Sequence, residues 1–145
     1  MRRICFNIVL IALLLLPAVP ARAQEPIQQM RAFWVDSLNP GFYNHPQVDE
    51  LVHNVVRAGA NTIIVQVRRH GDAWYNNAFE PRAADPRLAP AAEFDPLAYL
   101  IEKAHSMGVQ VHAWLVVSVT CRSSDRLWGH PEHICTHHEI GRAHV

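Results

Sequence analysis

The sequence has no apolar run of the roughly 20 residues that a membrane-spanning helix requires. Residues 4–17 come nearest; they follow Arg2 and Arg3 and precede Ala21-Arg22-Ala23. A basic start, a short apolar centre and small residues at the two positions a signal peptidase reads make a secretory signal, with cleavage expected before Gln24. A surplus of positive charge is also missing, since 13 Lys+Arg balance 13 Asp+Glu over 145 residues. Removing residues 1–23 takes away Arg2, Arg3 and Arg22 and no acid, leaving a net charge of −3. That argues against a nucleic-acid partner, which calls for a basic surface, and fits a neutral substrate such as a sugar polymer. Cysteine is scarce, at three residues. Cys5 leaves with the signal, so Cys121 and Cys135 are the candidate pair for a disulfide in an oxidising compartment. No low-complexity tract is present, and no repeat beyond the strand–helix unit described next.

After a polar lead-in over residues 24–30, extended runs alternate with helical ones. Residues 31–35 (RAFWV) are compact, aromatic and β-prone, and make the first strand. Pro46 suits a first helical turn, with Asn44 or His45 before it as the cap. Val48, Leu51, Val52, Val55 and Val56 then recur with helical period, and Gly59 closes the helix. Residues 62–68 (TIIVQVR) are a β-branched second strand. A polar, proline-containing stretch over residues 69–94 follows. Asp95-Pro96 opens a second helix whose stripe is Leu97, Leu100, Ile101, Ala104 and Met107, with Gly108 at its end. Residues 109–117 (VQVHAWLVV) form the third strand. The order β-α-β-α-β, with long crossovers, predicts an α/β fold with a parallel sheet covered by helices.

Strands buried between helix layers read apolar on both faces. Here one face of each later strand is apolar, and the other carries Gln66 and Arg68, or His112 and Trp114. A barrel gives that asymmetry a cause, because its outer face packs on helices while its inner face opens at the C-terminal rim. A doubly wound sheet also binds ligands at its strand ends, so the pattern favours the barrel modestly.

Five segments, Arg31-Ala32-Phe33-Trp34-Val35, residues 61–68 (NTIIVQVR), Gly71-Asp72-Ala73-Trp74-Tyr75, Phe94-Asp95-Pro96-Leu97 and Val111-His112-Ala113-Trp114, occur in an order and spacing that resemble the opening of the family 10 glycosyl-hydrolase-like proteins. These are exported bacterial proteins related to α-amylase-type barrels. The resemblance runs from Met30 to about Trp114. It implies a (β/α)₈ barrel that hydrolyses glycosidic bonds in a polysaccharide, cell-wall glycan being a plausible substrate, with export to the periplasm or the extracellular space. It calls for no cofactor.

A full barrel takes about 250 residues, and three strands are the N-terminal part of one, about three βα units. Glycoside hydrolysis needs two carboxyl groups, which barrel glycosidases of this kind usually place on later strands, so the catalytic pair is expected outside this chain and the chain alone is expected to be inactive. Residues 139–145 (EIGRAHV) resemble the in-frame translation of a sequencing adapter, which is the expectation for that segment; residues 31–138 are the expected partial barrel domain.

Several residues are candidate substrate contacts. Arg68 ends the second strand and Asp72 lies in the loop beyond it, where the pair would hydrogen-bond sugar hydroxyls or merely order the loop. Tyr75 offers a platform in the same loop, as does Trp74, each equally readable as a loop anchor. Trp114 and His112 lie on the inward face of the third strand, as a sugar platform and a hydroxyl donor or as barrel filling. Asp36 ends the first strand at the same rim. Glu80, Asp85, Glu93, Glu102 and Asp125 have no placement that demands chemistry, and Asp95 reads as a helix cap. His130, His133, Cys135, His137 and His138 contain metal-ligand chemistry but lack the paired two-residue spacings of a structural zinc site, so no metal is expected. The rival functions are a polysaccharide-binding barrel without cleavage and, less favoured, a metal-dependent polysaccharide hydrolase or deacetylase.

Overall fold

The computed structural model describes residues 29–118 and 126–137. The expected signal segment, Cys121 and the adapter-like residues 139–145 lie outside them. The elements run β1 (Ala32–Val35), α1 (His45–Arg57), β2 (Thr62–Arg68), α2 (Pro96–Ser106), β3 (Gln110–Leu115) and a short α3 (Ile134–His137). The strands form one parallel sheet in the order β1-β2-β3, with Trp34 beside Ile64 and Ile64 beside His112. The fold is therefore α/β, as the alternating pattern predicts.

Local chemistry explains where the helices begin and end. Asn44 caps α1 by accepting the Gln47 N–H at 3.1 Å, and Asp95 caps α2 by accepting those of Leu97 and Ala98 at 3.1 Å each. A proline follows each cap, where its missing N–H costs nothing. Gly59 and Gly108 take φ of 68° and 72° just past the helix ends, a conformation that favours glycine.

Val48, Val52 and Val55 of α1 and Leu100 and Ala104 of α2 join Ile63, Val65 and Val67 of β2 in one buried cluster. The helices are tied to each other by Asp49, which accepts from Tyr99 Oη at 3.0 Å and pairs with Lys103 Nζ at 2.9 Å. Two departures from the sequence pattern concern partly covered elements. Met107, expected in the buried stripe of α2, is 36% exposed, because it lies beyond the last helical turn. The third strand is shorter than residues 109–117, and Leu115 on its apolar face is 50% exposed because β3 is an edge strand here.

The other face of the sheet presents Trp34, Ile64, His112 and Trp114. Trp34 meets Trp114 edge-on with ring centroids 5.1 Å apart, and Trp34 keeps 66% of its surface exposed. Because the strands are parallel, their C-terminal ends deliver Asp36, Arg68 and Val116 to a single edge, and the long β2–α2 connection, residues 69–95, rises from that edge. An aromatic stack anchors this connection: Trp74 is fully buried, 5.4 Å from Tyr43 and 5.7 Å from Phe42 between centroids.

Candidate functional site

A groove of about 710 Å³ lies at the strand ends, and its walls include Arg68, Tyr75, Phe79, Glu80, Leu115 and Ile134. Strand β2 contributes Arg68 to its wall. Residues 67 and 68 fall at a register irregularity against β3, so Arg68 pairs with Leu115 where the regular ladder would continue from Gln66 and Trp114. The Arg68 guanidinium donates from Nε and Nη2 to the two Glu80 oxygens, at 2.6 Å each, and from Nη1 to the Val116 carbonyl. This fork-on-carboxylate geometry fixes both side chains and joins strand β2, its following loop and the end of β3. Phe79, beside Glu80, is fully exposed, and Tyr75 is half-buried. The groove thus combines aromatic surface with one fixed ion pair.

Asp72 stands elsewhere. The sequence pairs it most naturally with Arg68, but Asp72 is buried and its Oδ1 accepts the backbone N–H groups of Arg69 and His70 at 3.0 Å each. Three residues beyond Arg69, its short side chain folds back on the turn, whereas Glu80 approaches Arg68 from across the loop. Glu80 carries no sequence signal for this role, since the two residues are twelve apart in a stretch without periodicity.

Asp36 is also engaged locally. Its Oδ1 accepts from the Leu38 and Asn39 backbone at 2.7 and 2.9 Å, and Asn39 Nδ2 lies 3.0 Å from Oδ2. Burial pushes its carboxyl up, and the hydrogen bonds from Asn39 and Leu38 outweigh that and hold it below its ordinary value. Next to it, Ser37 donates from N and Oγ to Gln66 Oε1, at 3.0 and 2.7 Å, which accounts for a buried glutamine on β2. His112 is exposed and Trp114 half-buried on the sheet face beside Trp34, away from the groove lining. Trp34 is thus an aromatic neighbour of that pair which its place in a short first strand did not single out.

In the histidine-rich stretch, His133 is buried, its Nε2 2.8 Å from the His70 carbonyl, while its Nδ1 accepts from Cys135 N at 3.3 Å. Both ring nitrogens thus have protein partners. Cys135 is buried and disulfide-bonded; its expected partner, Cys121, lies outside the described residues. Among the described residues, no helix is long and apolar enough to cross a membrane.

Glycosyl hydrolase YngK of Bacillus subtilis (strain 168) is 30% identical over 112 residues, covering 65% of this chain and 21% of the relative. Glycosyl hydrolase DigH of Escherichia coli (strain K12) is 28% identical over 115 residues, covering 66% of this chain and 26% of the relative. The chain therefore spans about a fifth to a quarter of the length of these relatives. The family model described as glycosyl hydrolase-like 10 matches residues 29–144, most of the sequence and every element of the fold, and the chain belongs to that family.

Proposed function

We propose that this chain contributes one wall of the substrate cleft of an exported glycoside hydrolase acting on a polysaccharide, cell-wall glycan among the candidates. The observation that carries the reading is the groove at the C-terminal strand ends, where exposed Phe79 and half-buried Tyr75 flank the fixed Arg68–Glu80 pair. Aromatic rings offer apolar platforms to the C–H faces of sugars, and a guanidinium–carboxylate pair offers donors and acceptors to hydroxyls. We read the three-stranded sheet as the first part of a (β/α)₈ barrel. Support comes from the sequential strand order, the helices packed on one face, and the apolar surface left bare by Trp34, Phe33 and Leu115, which further strands and helices would cover.

Glu80 is a positioning residue in this reading, because both of its oxygens are held by Arg68. The two carboxyl groups that glycoside hydrolysis requires, about 5–10 Å apart, then come from later strands of the longer protein. The test is a panel of soluble and insoluble polysaccharides incubated with the longer protein that carries this segment. New reducing ends are expected, and Phe79→Ala together with Tyr75→Ala should raise KM with little change in kcat. An intact protein that neither binds nor cuts any glycan in the panel sinks the reading.

A further inference from the structure

The β2–α2 connection, with Arg126 and Leu127, also borders a smaller, partly open cavity that shares no lining residue with the groove. Its volume is about 190 Å³, and Arg69, Asp72, Trp74, Asp85 and Arg126 are among its walls. That is several times the roughly 30 Å³ share of a water molecule, so the space admits a small solute. Trp74 is fully buried, yet its Nε1–H has no acceptor, and the buried Nε–H of Arg69 has none either. Buried donors in folded proteins are nearly always paired, so two orphans beside one cavity point to a missing partner.

The chemistry of that partner follows from what is already taken. Both orphans are donors. The carboxylates in the wall are committed, Asp72 Oδ1 to the Arg69 and His70 backbone and Asp85 to Arg87, whose Nε and Nη2 lie 2.9 and 2.7 Å from its two oxygens. Arg126 donates one hydrogen bond, to the Ala84 carbonyl at 3.2 Å. Two guanidinium groups line the cavity, Arg69 and Arg126, against Asp72, whose Oδ2 lies 4.0 Å from Arg69 Nη2, and Asp85, which Arg87 neutralises from outside the lining. What is missing is therefore an oxygen acceptor for two donors, beside an Arg126 guanidinium that no carboxylate of the described lining grips.

We propose that this cavity is a carboxylate-binding site, in which Trp74 Nε1 and Arg69 Nε donate to the carboxylate and the Arg126 charge compensates it. Two sources carry such a group, a small free carboxylate ion and an acidic sugar unit such as a uronate. The proposal does not depend on glycan cleavage, and its test involves none.

The test follows the indole N–H resonances of the full chain by proton–nitrogen NMR while sodium acetate, sodium glucuronate and glucose are titrated separately at fixed ionic strength. Trp74→Phe identifies the Trp74 signal by its loss, and the signals of the other tryptophans report that the fold persists. Acetate is expected to shift the Trp74 signal saturably. Arg69→Lys, which keeps the charge and deletes Nε–H, should weaken acetate about tenfold or more, and calorimetry on Trp74→Phe should show a comparable loss. A saturable shift with glucuronate as well identifies an acidic sugar as the ligand, and acetate alone identifies a free carboxylate; both uphold the site. No saturable shift with either acid, an equal response to glucose, or an affinity unchanged in both variants overturns it.

Discussion

Arg68 grips Glu80 at two points, Nε to Oε2 and Nη2 to Oε1, each 2.6 Å long, with 14% and 21% of the two side chains exposed. Solvent reaches the pair only in part, so its coupling lies between the 0–1 kcal/mol of surface pairs and the 3–5 kcal/mol lost on breaking a deeply buried one. Glu80→Gln should lower unfolding stability by about 2 kcal/mol in urea melts, because the guanidinium keeps its charge and loses its anion. Arg68→Met combined with Glu80→Gln should cost less than the two single changes added together. Additive losses would show that the pair is not energetically coupled.

The Asp85 carboxyl is held down at about 2, from 3.8, first by hydrogen bonds from the Arg87 side chain, which outweigh the effect of burial, and then by the Arg87 backbone N–H. The folded state thus binds this proton less readily than the unfolded chain does. The stabilisation is fully present above the unfolded value of 3.8 and is lost as pH falls through about 2. Thermal melts between about pH 5 and 2 should show this decline in the parent chain and a shallower one in Asp85→Asn. Equal slopes would remove Asp85 from the acid response.

Helix caps allow a comparison between two similar residues with different duties. Asn44 serves one backbone N–H of α1, whereas Asp95 serves two of α2 and also takes the Asn76 N–H on Oδ2 at 3.0 Å. An ordinary cap is worth about 1 kcal/mol, so Asn44→Ala should cost about that much. Asp95→Ala should cost about 2 kcal/mol, because the additional bond secures the loop that carries the groove. Chemical denaturation of the two variants decides the matter, and equal losses would mean that the Asn76 contact adds nothing.

Legibility in the sequence followed the range of the interactions. Caps and closing glycines act over three or four residues, and Asn44, Gly59, Asp95 and Gly108 stand where they were read. The parallel sheet was legible as well, because β2 is bounded by turn residues and strongly β-branched. The β2–α2 connection was not legible in detail. It has no period of its own, and its shape is set by contacts such as Arg68 with Glu80 and Trp74 with Tyr43, between positions that nothing in the local pattern brings together. Trp74 read equally as platform and anchor, and its complete burial identifies the anchor. The four-residue α3 was too short to leave a periodic signature.

Trp34 and Trp74 have the same chemistry and opposite environments, and that contrast tests how the sheet is completed. Trp74 is fully buried in an aromatic stack, so Trp74→Ala should cost about 3–5 kcal/mol of stability. Trp34 is 66% exposed and retains chiefly its edge contact with Trp114, so Trp34→Ala in this chain should cost about 1 kcal/mol. If the sheet face that carries Trp34 is the interior of a barrel in the longer protein, the same substitution made there removes a packed side chain. The loss should then rise to about 3 kcal/mol or more, measured by the same denaturation experiment. A Trp34→Ala cost that stays near 1 kcal/mol in the longer protein would mean that this face remains open, and would count against the barrel.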